Sequence, residues 1–199
     1  MFNPPHLGHI ELARAALREL GLRRVLLVPT AIPPHKPAIM DPGAEHRAQM
    51  CRLACAREPR IEVCALELRR PGPSYTVDTL RSIHANHPDV ELTLILGADM
   101  AATLGRWREP GAILKLASVA VAERPGTSRE QVLAALGTSR RIDFLAMEPS
   151  DLSSSQVRRT LTAGRPIASV VGPDVAAYIE EHELYGRHPA AGASEVRRA

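Results

Sequence analysis

Two histidines three residues apart, His6 and His9, stand in the run Asn3-Pro4-Pro5-His6-Leu7-Gly8-His9, at the front of a helical apolar pattern. Two prolines stiffen the approach of the chain, and Gly8 removes a side chain where a ligand could come close to the backbone. The spacing puts both imidazoles on one side of the first helical turn. At a helix N-terminus the unpaired N–H groups and the dipole favour an anion, and two imidazoles there can donate to phosphate oxygens. A metal pair or an ordinary surface pair would show the same spacing. His84 and His87 repeat that spacing at the C-terminal end of another helical pattern, before Pro88. That second pair reads as solvated surface.

Two further segments carry cations or caps. Ile32-Pro33-Pro34-His35-Lys36-Pro37 follows a strand pattern and holds one of only two lysines in the chain, Lys36 and Lys115. A lysine in a loop is ordinarily just solvated; in a proline-stiffened loop a compact ammonium also suits a polyphosphate. Leu152-Ser153-Ser154-Ser155-Gln156-Val157-Arg158-Arg159 sets a serine run before an amphipathic helix, with Arg158 one turn inside. Serines there act first as caps, and they leave N–H groups for an anion. Neither the Walker sequence nor the Gly-x-Gly-x-x-Gly fingerprint occurs, so a nucleotide is not held in those ways.

The elements that must position these residues alternate along the chain. Ile10, Ala13, Leu17 and Leu20 fall at helical spacing, closed by Gly21 as a C-terminal cap. Val25 to Val28 is a short apolar run ended by Pro29, suiting a strand buried on both faces, and Ala31 to Gly43 reads as a loop. The pattern predicts helices over Ala44–Arg57, Tyr75–Asn86, Arg129–Leu136, Ser154–Thr162 and Pro173–Glu183. It predicts strands over Ile61–Leu68, Leu92–Leu96, Val119–Val121 and Ile142–Ala146. Short apolar strands alternating with amphipathic helices call for a doubly wound parallel sheet, with ligands beyond the carboxyl ends of the strands. The whole is expected to be one domain over 1–186, with a frayed tail over 187–199.

Composition narrows the function classes. A chain of 199 residues with 45% hydrophobic and 24% charged residues can bury a core, and is neither disordered nor fibrous. No apolar run approaches the roughly 18 residues of a membrane span, and the N-terminus lacks the pattern of a signal peptide. The three cysteines read as reduced thiols, and a cytoplasmic location is expected. All but two of the 25 basic residues are arginine, and they alternate with acidic residues. With 3% aromatics and no basic tract, the net charge of +3 points to small anions rather than to nucleic acid. Nothing in the pattern speaks to an oligomeric state.

The three chemical segments together resemble the HxGH nucleotidyltransferase superfamily. Ser74-Tyr75-Thr76-Val77-Asp78-Thr79-Leu80, Leu96-Gly97-Ala98-Asp99, Trp107 and Arg124-Pro125-Gly126 narrow the resemblance to bacterial nicotinate-nucleotide adenylyltransferases. The resemblance implies transfer of AMP from ATP onto nicotinate mononucleotide, with release of pyrophosphate. It gives His6 and His9 the ATP phosphates and the transition state, and gives Lys36 and Arg158 the polyphosphate. Phe2, Asn3, Gly8, Gly97, Asp99, Ser154 and Ser155 fall on the ATP side; Tyr75, Thr76, Trp107 and Arg124 fall on the pyridine-nucleotide side. No compact carboxylate cluster appears, so Mg²⁺ is expected to arrive with ATP rather than in a metal site of the protein. Pantetheine-phosphate adenylyltransferases and cytidylyltransferases share the histidine pair but lack the Ser-Tyr-Thr, Leu-Gly-Ala-Asp and tryptophan set. Relatives begin with a strand and two glycines before the position of Met1. The expected fold is therefore a Rossmann-like nucleotidyltransferase sheet lacking its first, central strand, which leaves a nucleotide-binding protein without activity as a further alternative.

Overall fold

Apolar residues at helical spacing put one buried stripe on α1 (Leu7–Glu19), made of Ile10, Ala13, Ala16 and Leu17. The helix closes at Leu20, and Gly21 takes the left-handed conformation (φ 62°) that ends it, as its position predicts. The computed structural model describes residues 1–34, 40–123, 126–136, 142–147 and 152–186. The tail expected at 187–199 lies outside them.

Every strand pair is parallel. β1 (Val25–Leu27) pairs with β2 (Ile61–Val63), Val25 opposite Ile61. β3 (Leu92–Gly97) pairs with β4 (Ala117–Ala122), Leu92 opposite Ala117, and β4 pairs with β5 (Ile142–Leu145), Val119 opposite Ile142. Among the described residues these form two sheets, of two and three strands. Burial follows. Leu26 of β1 is 36% exposed and all six residues of β3 are only partly buried, whereas five of six in β4 are buried. The expectation that β1 is buried on both faces is corrected: it lies at an edge of its sheet, as β3 does.

Helices cover both faces, as a doubly wound sheet requires. Along β4, Val119 and Val121 turn to α3 (Thr76–Asn86), α4 (Ala98–Ala101), α5 (Pro110–Leu116) and α6 (Arg129–Leu136). Ala120, between them, turns the other way to Ala16 of α1. The same α1 packs Ile10, Ala13 and Leu17 against β1, β2 and α2 (Ala44–Cys55), so it joins the two sheets. Ile95 of β3 touches both of these clusters. A third, all-helical cluster unites α2 with α7 (Ser154–Thr162), α8 (Ala168–Val171), α9 (Pro173–Glu181) and the 3₁₀ turn Leu184–Gly186.

Several boundaries differ from the sequence reading. The strand expected over Ile61–Leu68 ends at Val63, since its only partner is three residues long, and Glu67–Arg69 forms a 3₁₀ turn instead. The sequence pattern does not predict α4, α5 and α8. Two are single turns of four residues, but α5 opens with Pro110, a helix-start signal available in the sequence.

Candidate active site

His6 is the N-cap of α1 and His9 its third residue. The His6 N–H donates to His9 Nδ1 at 3.1 Å, and the His9 N–H donates to the His6 carbonyl at 2.9 Å. This local loop brings the two rings together, centroids 3.7 Å apart and planes tilted by 34°, and Phe2 meets His9 edge-on at 4.9 Å. His6 is 2% exposed and His9 partly buried, whereas His84 and His87 are both exposed, as the comparison between the pairs foresaw. Gly8 also has a role inside the protein. A Cβ there would lie 3.1 Å from His6 Nδ1 and 3.6 Å from the Leu152 side chain, so the glycine makes room for the imidazole itself.

The serine run divides its work. Ser153 is the cap, its hydroxyl accepting from the Gln156 N–H at 3.2 Å. Ser154 donates to the Pro4 carbonyl at 2.8 Å, and Ser155 accepts from Arg158 Nη2 at 3.1 Å. Arg158 Nη1 donates to the Asn3 carbonyl at 2.6 Å. The start of α7 therefore grips the segment leading into α1, and Arg158, a side chain with five N–H groups, rests on that segment three residues before His6. Two residues that the motifs did not single out complete this junction. Tyr185 donates its hydroxyl to Asn3 Oδ1 at 2.9 Å, and both residues are buried. Arg47, fully buried on α2, donates from Nε to Asp41 at 2.8 Å and from Nη2 to the Ala31 carbonyl at 3.2 Å. Arg47 thus holds both flanks of the segment that carries Lys36; Lys36 itself lies outside the described residues. An arginine on the apolar stripe of α2, between Ala48, Met50 and Cys51, was a signal in the sequence that its burial has a purpose.

Tyr75 and Thr76, expected on the pyridine side, stand at the start of α3. Ser74 accepts from the Ala31 N–H at 3.1 Å and donates its own N–H to the Ile32 carbonyl at 2.8 Å, stitching the chain after β1 to this helix. Tyr75 caps α3 and Thr76 is its first residue. Arg108 lies over the Tyr75 ring at 4.6 Å, which brings the neighbouring Trp107 to the same end of the helix. The Trp107 ring is partly buried against the core, and its Nε1–H donates to Thr103 at 3.0 Å. Beneath Tyr75, Thr79 donates to the buried Glu67 at 2.7 Å. Gly97 ends β3, and Asp99 is exposed in the following turn, beyond the carboxyl end of the sheet. Arg124 lies outside the described residues. A separate cavity of about 650 Å³, lined by Arg106, Thr127, Gln131 and small residues, contains none of the candidate residues. Among the described residues no three His, Cys, Asp or Glu side chains converge as in a metal cage, and no helix is long and apolar enough to cross a membrane.

Cys51 is buried beside Arg47 on α2, and burial, with Cys55 adding, pushes its thiol up to about 12. Such a thiol is inert.

The cytidylyltransferase-like family matches residues 1–160. A relative from Symbiobacterium thermophilum, described as "Probable nicotinate-nucleotide adenylyltransferase", is 40% identical over 191 residues, covering 94% of this chain and 92% of its own. One of the same description from Roseiflexus is 41% identical, covering 92% and 94%. The solved structure of Plasmodium falciparum nicotinic acid mononucleotide adenylyltransferase complexed with NaAD superposes with a TM-score of 0.79 at 18% identity, covering 94% of each chain, and so shares the fold. On this likeness the chain belongs to the cytidylyltransferase-like family and, within it, to the nicotinate-nucleotide adenylyltransferases.

Proposed function

We propose that the protein transfers AMP from ATP to nicotinate mononucleotide, forming nicotinate adenine dinucleotide and pyrophosphate. The observation that carries the reading is the closely packed His6–His9 pair at the head of α1, with Arg158 bonded to the nearby Asn3 carbonyl. A phosphate oxygen of nicotinate mononucleotide attacks the α-phosphorus of ATP, and the bond to the bridging oxygen of pyrophosphate breaks. The attacking phosphate is largely ionised near neutral pH, its second pKa being about 6, so the reaction needs positioning and charge stabilisation rather than a strong base. His6 and His9 donate to the oxygens on which charge develops, and Lys36 and Arg158 hold the departing pyrophosphate.

Phe2, Asn3, Gly8, Gly97, Asp99, Ser154 and Ser155 form the ATP side. Ser154 and Ser155 act there through the clamp they build with Pro4 and Arg158. Tyr75, Thr76, Trp107 and Arg124 form the pyridine side, Trp107 stacking on the ring. Mg²⁺ would arrive bound to ATP and offset phosphate charge; the imidazoles and guanidinium of the site suit the phosphates rather than the ion. Three unpaired thiols agree with a reducing cytoplasm.

The test is pyrophosphate release from ATP and nicotinate mononucleotide, with the dinucleotide identified by mass. Turnover is expected with this pair and not with CTP or phosphopantetheine. No product from it, or a faster reaction with either alternative, overturns the reading.

A further inference from the structure

The 3₁₀ turn Leu184–Gly186 brings the end of the described chain back to its beginning. Tyr185 sits there with φ 65° and ψ 26°, a left-handed backbone that an aromatic residue rarely adopts. Strain of this kind persists only where surrounding contacts over-determine it. Two sets of contacts do so. The ring is 5% exposed and packs in the cluster containing Met50, Val157 and Leu161, on the buried side of the helix that carries Arg158. The hydroxyl donates to Asn3 Oδ1, a bond spanning 182 positions of sequence. Asn3 is 1% exposed, and its carbonyl is the acceptor on which Arg158 Nη1 rests. One asparagine thus links the phenol to the guanidinium, and moving it would move the seat of Arg158.

We propose that Tyr185 is a positioning residue of the phosphate clamp: through Asn3 it fixes the carbonyl that seats Arg158, and so sets the reach of that guanidinium toward the polyphosphate of ATP. The inference rests on the reading of Arg158 as a polyphosphate ligand. Burial first, and then Asp41, push the phenol well above its ordinary range, so it remains an O–H donor at any working pH. Tyr178, on α9, offers the contrast: its hydroxyl bonds His46, away from Asn3.

The experiment measures binding of α,β-methylene-ATP, which cannot transfer AMP, to the full chain and to Tyr185→Phe, Tyr178→Phe, Arg158→Ala and the Tyr185→Phe/Arg158→Ala double variant. Steady-state KM values for ATP and nicotinate mononucleotide are taken alongside. Tyr185→Phe is expected to weaken the analogue about fivefold or more and to raise KM for ATP, with KM for nicotinate mononucleotide within about twofold. Tyr178→Phe is expected to match the parent. In the Arg158→Ala background, Tyr185→Phe is expected to add less than about twofold, because it acts through that side chain. Equal affinities for parent and Tyr185→Phe, or the same loss persisting without Arg158, would overturn the proposal. Tyr185→Met, similar in bulk but without the hydroxyl, carries the same expectations if Tyr185→Phe does not fold. Weakened analogue binding that depends on Arg158, together with no pyrophosphate release by the parent, would sink adenylyl transfer and leave the role of Tyr185 standing. Unchanged binding with brisk pyrophosphate release would do the reverse.

Discussion

Because the His6 amide occupies Nδ1 of His9, the neutral imidazole carries its proton on Nε2, the atom able to donate to a phosphate oxygen. Loss of one donor aimed at developing charge typically lowers kcat by about 10²–10³-fold. His9→Ala is expected to show a loss of that size in pyrophosphate release while its circular dichroism stays that of the parent; activity within about threefold would remove His9 from the chemistry. Trp107 is held by Thr103 and by the core on one side, which leaves stacking as what it can offer a pyridine ring. Trp107→Ala should raise KM for nicotinate mononucleotide about tenfold or more, and far more than KM for ATP, since stacking is worth roughly 1–3 kcal/mol. Equal effects on the two substrates would make it a packing residue only. Cys51 bears on stability instead. Its thiol ionises near the ordinary 9.0 when unfolded and at about 12 when folded, so the contribution of its buried neutral form is whole below pH 9 and is lost as pH rises from there. Urea midpoints of the parent are expected to fall between about pH 8 and 11 by more than those of Cys51→Ala, the difference reaching about 1–3 kcal/mol. Parallel curves would contradict it.

Among the elements, α1 carries the greatest burden, since it positions the histidine pair and also joins the two sheets. Its two faces differ in a way that suits this. Ile10, Ala13 and Leu17 fill the space over β1 and β2, while Ala16 lies against Ala120 and Leu145, all three nearly inaccessible. Small residues facing each other let the helix approach β4 closely, so there is no room for added volume. Ala16→Leu is expected to lower stability by about 1–3 kcal/mol in urea unfolding. It should also reduce turnover in the folded fraction, because the helix that bears His6 and His9 must shift. An unchanged urea midpoint would mean that the contact is loose.

For the molecule as a whole, a formal charge of +3 with so many arginines could suggest a nucleic-acid surface, but the arginines are dispersed among carboxylates. Arg14 pairs with Glu58, Arg24 with Glu62, Arg81 with Glu109 and Arg129 with Glu123, on different elements around the surface. Paired cations release few counterions from DNA, and affinity without counterion release is weak. Retention of random duplex DNA is expected to vanish by about 0.15 M salt; retention there with a steep salt slope would show a basic face after all.

The sequence by itself determined what is set by neighbours along the chain. The His6–His9 loop, the Ser153 cap, the Gly21 stop and the apolar runs of β1, β3, β4 and β5 all depend on spacings of a few residues, so type and period suffice to read them. The resemblance added which substrates such a site would hold. Tertiary structure decided what depends on distant partners. Arg47 is a buried clasp because Ala31 and Asp41 come to it, a Cβ at Gly8 would crowd the ring of His6, and Tyr185 meets Asn3 across nearly the whole chain. It also decided where the strands stop. A ladder is only as long as its shorter strand, so β2 ends with β1, and β1 and β3, each at an edge of its sheet, stay partly exposed despite sequences apolar enough for a core. Local pattern specifies an element and its buried face; which groups that face meets is known only once the chain has folded back on itself.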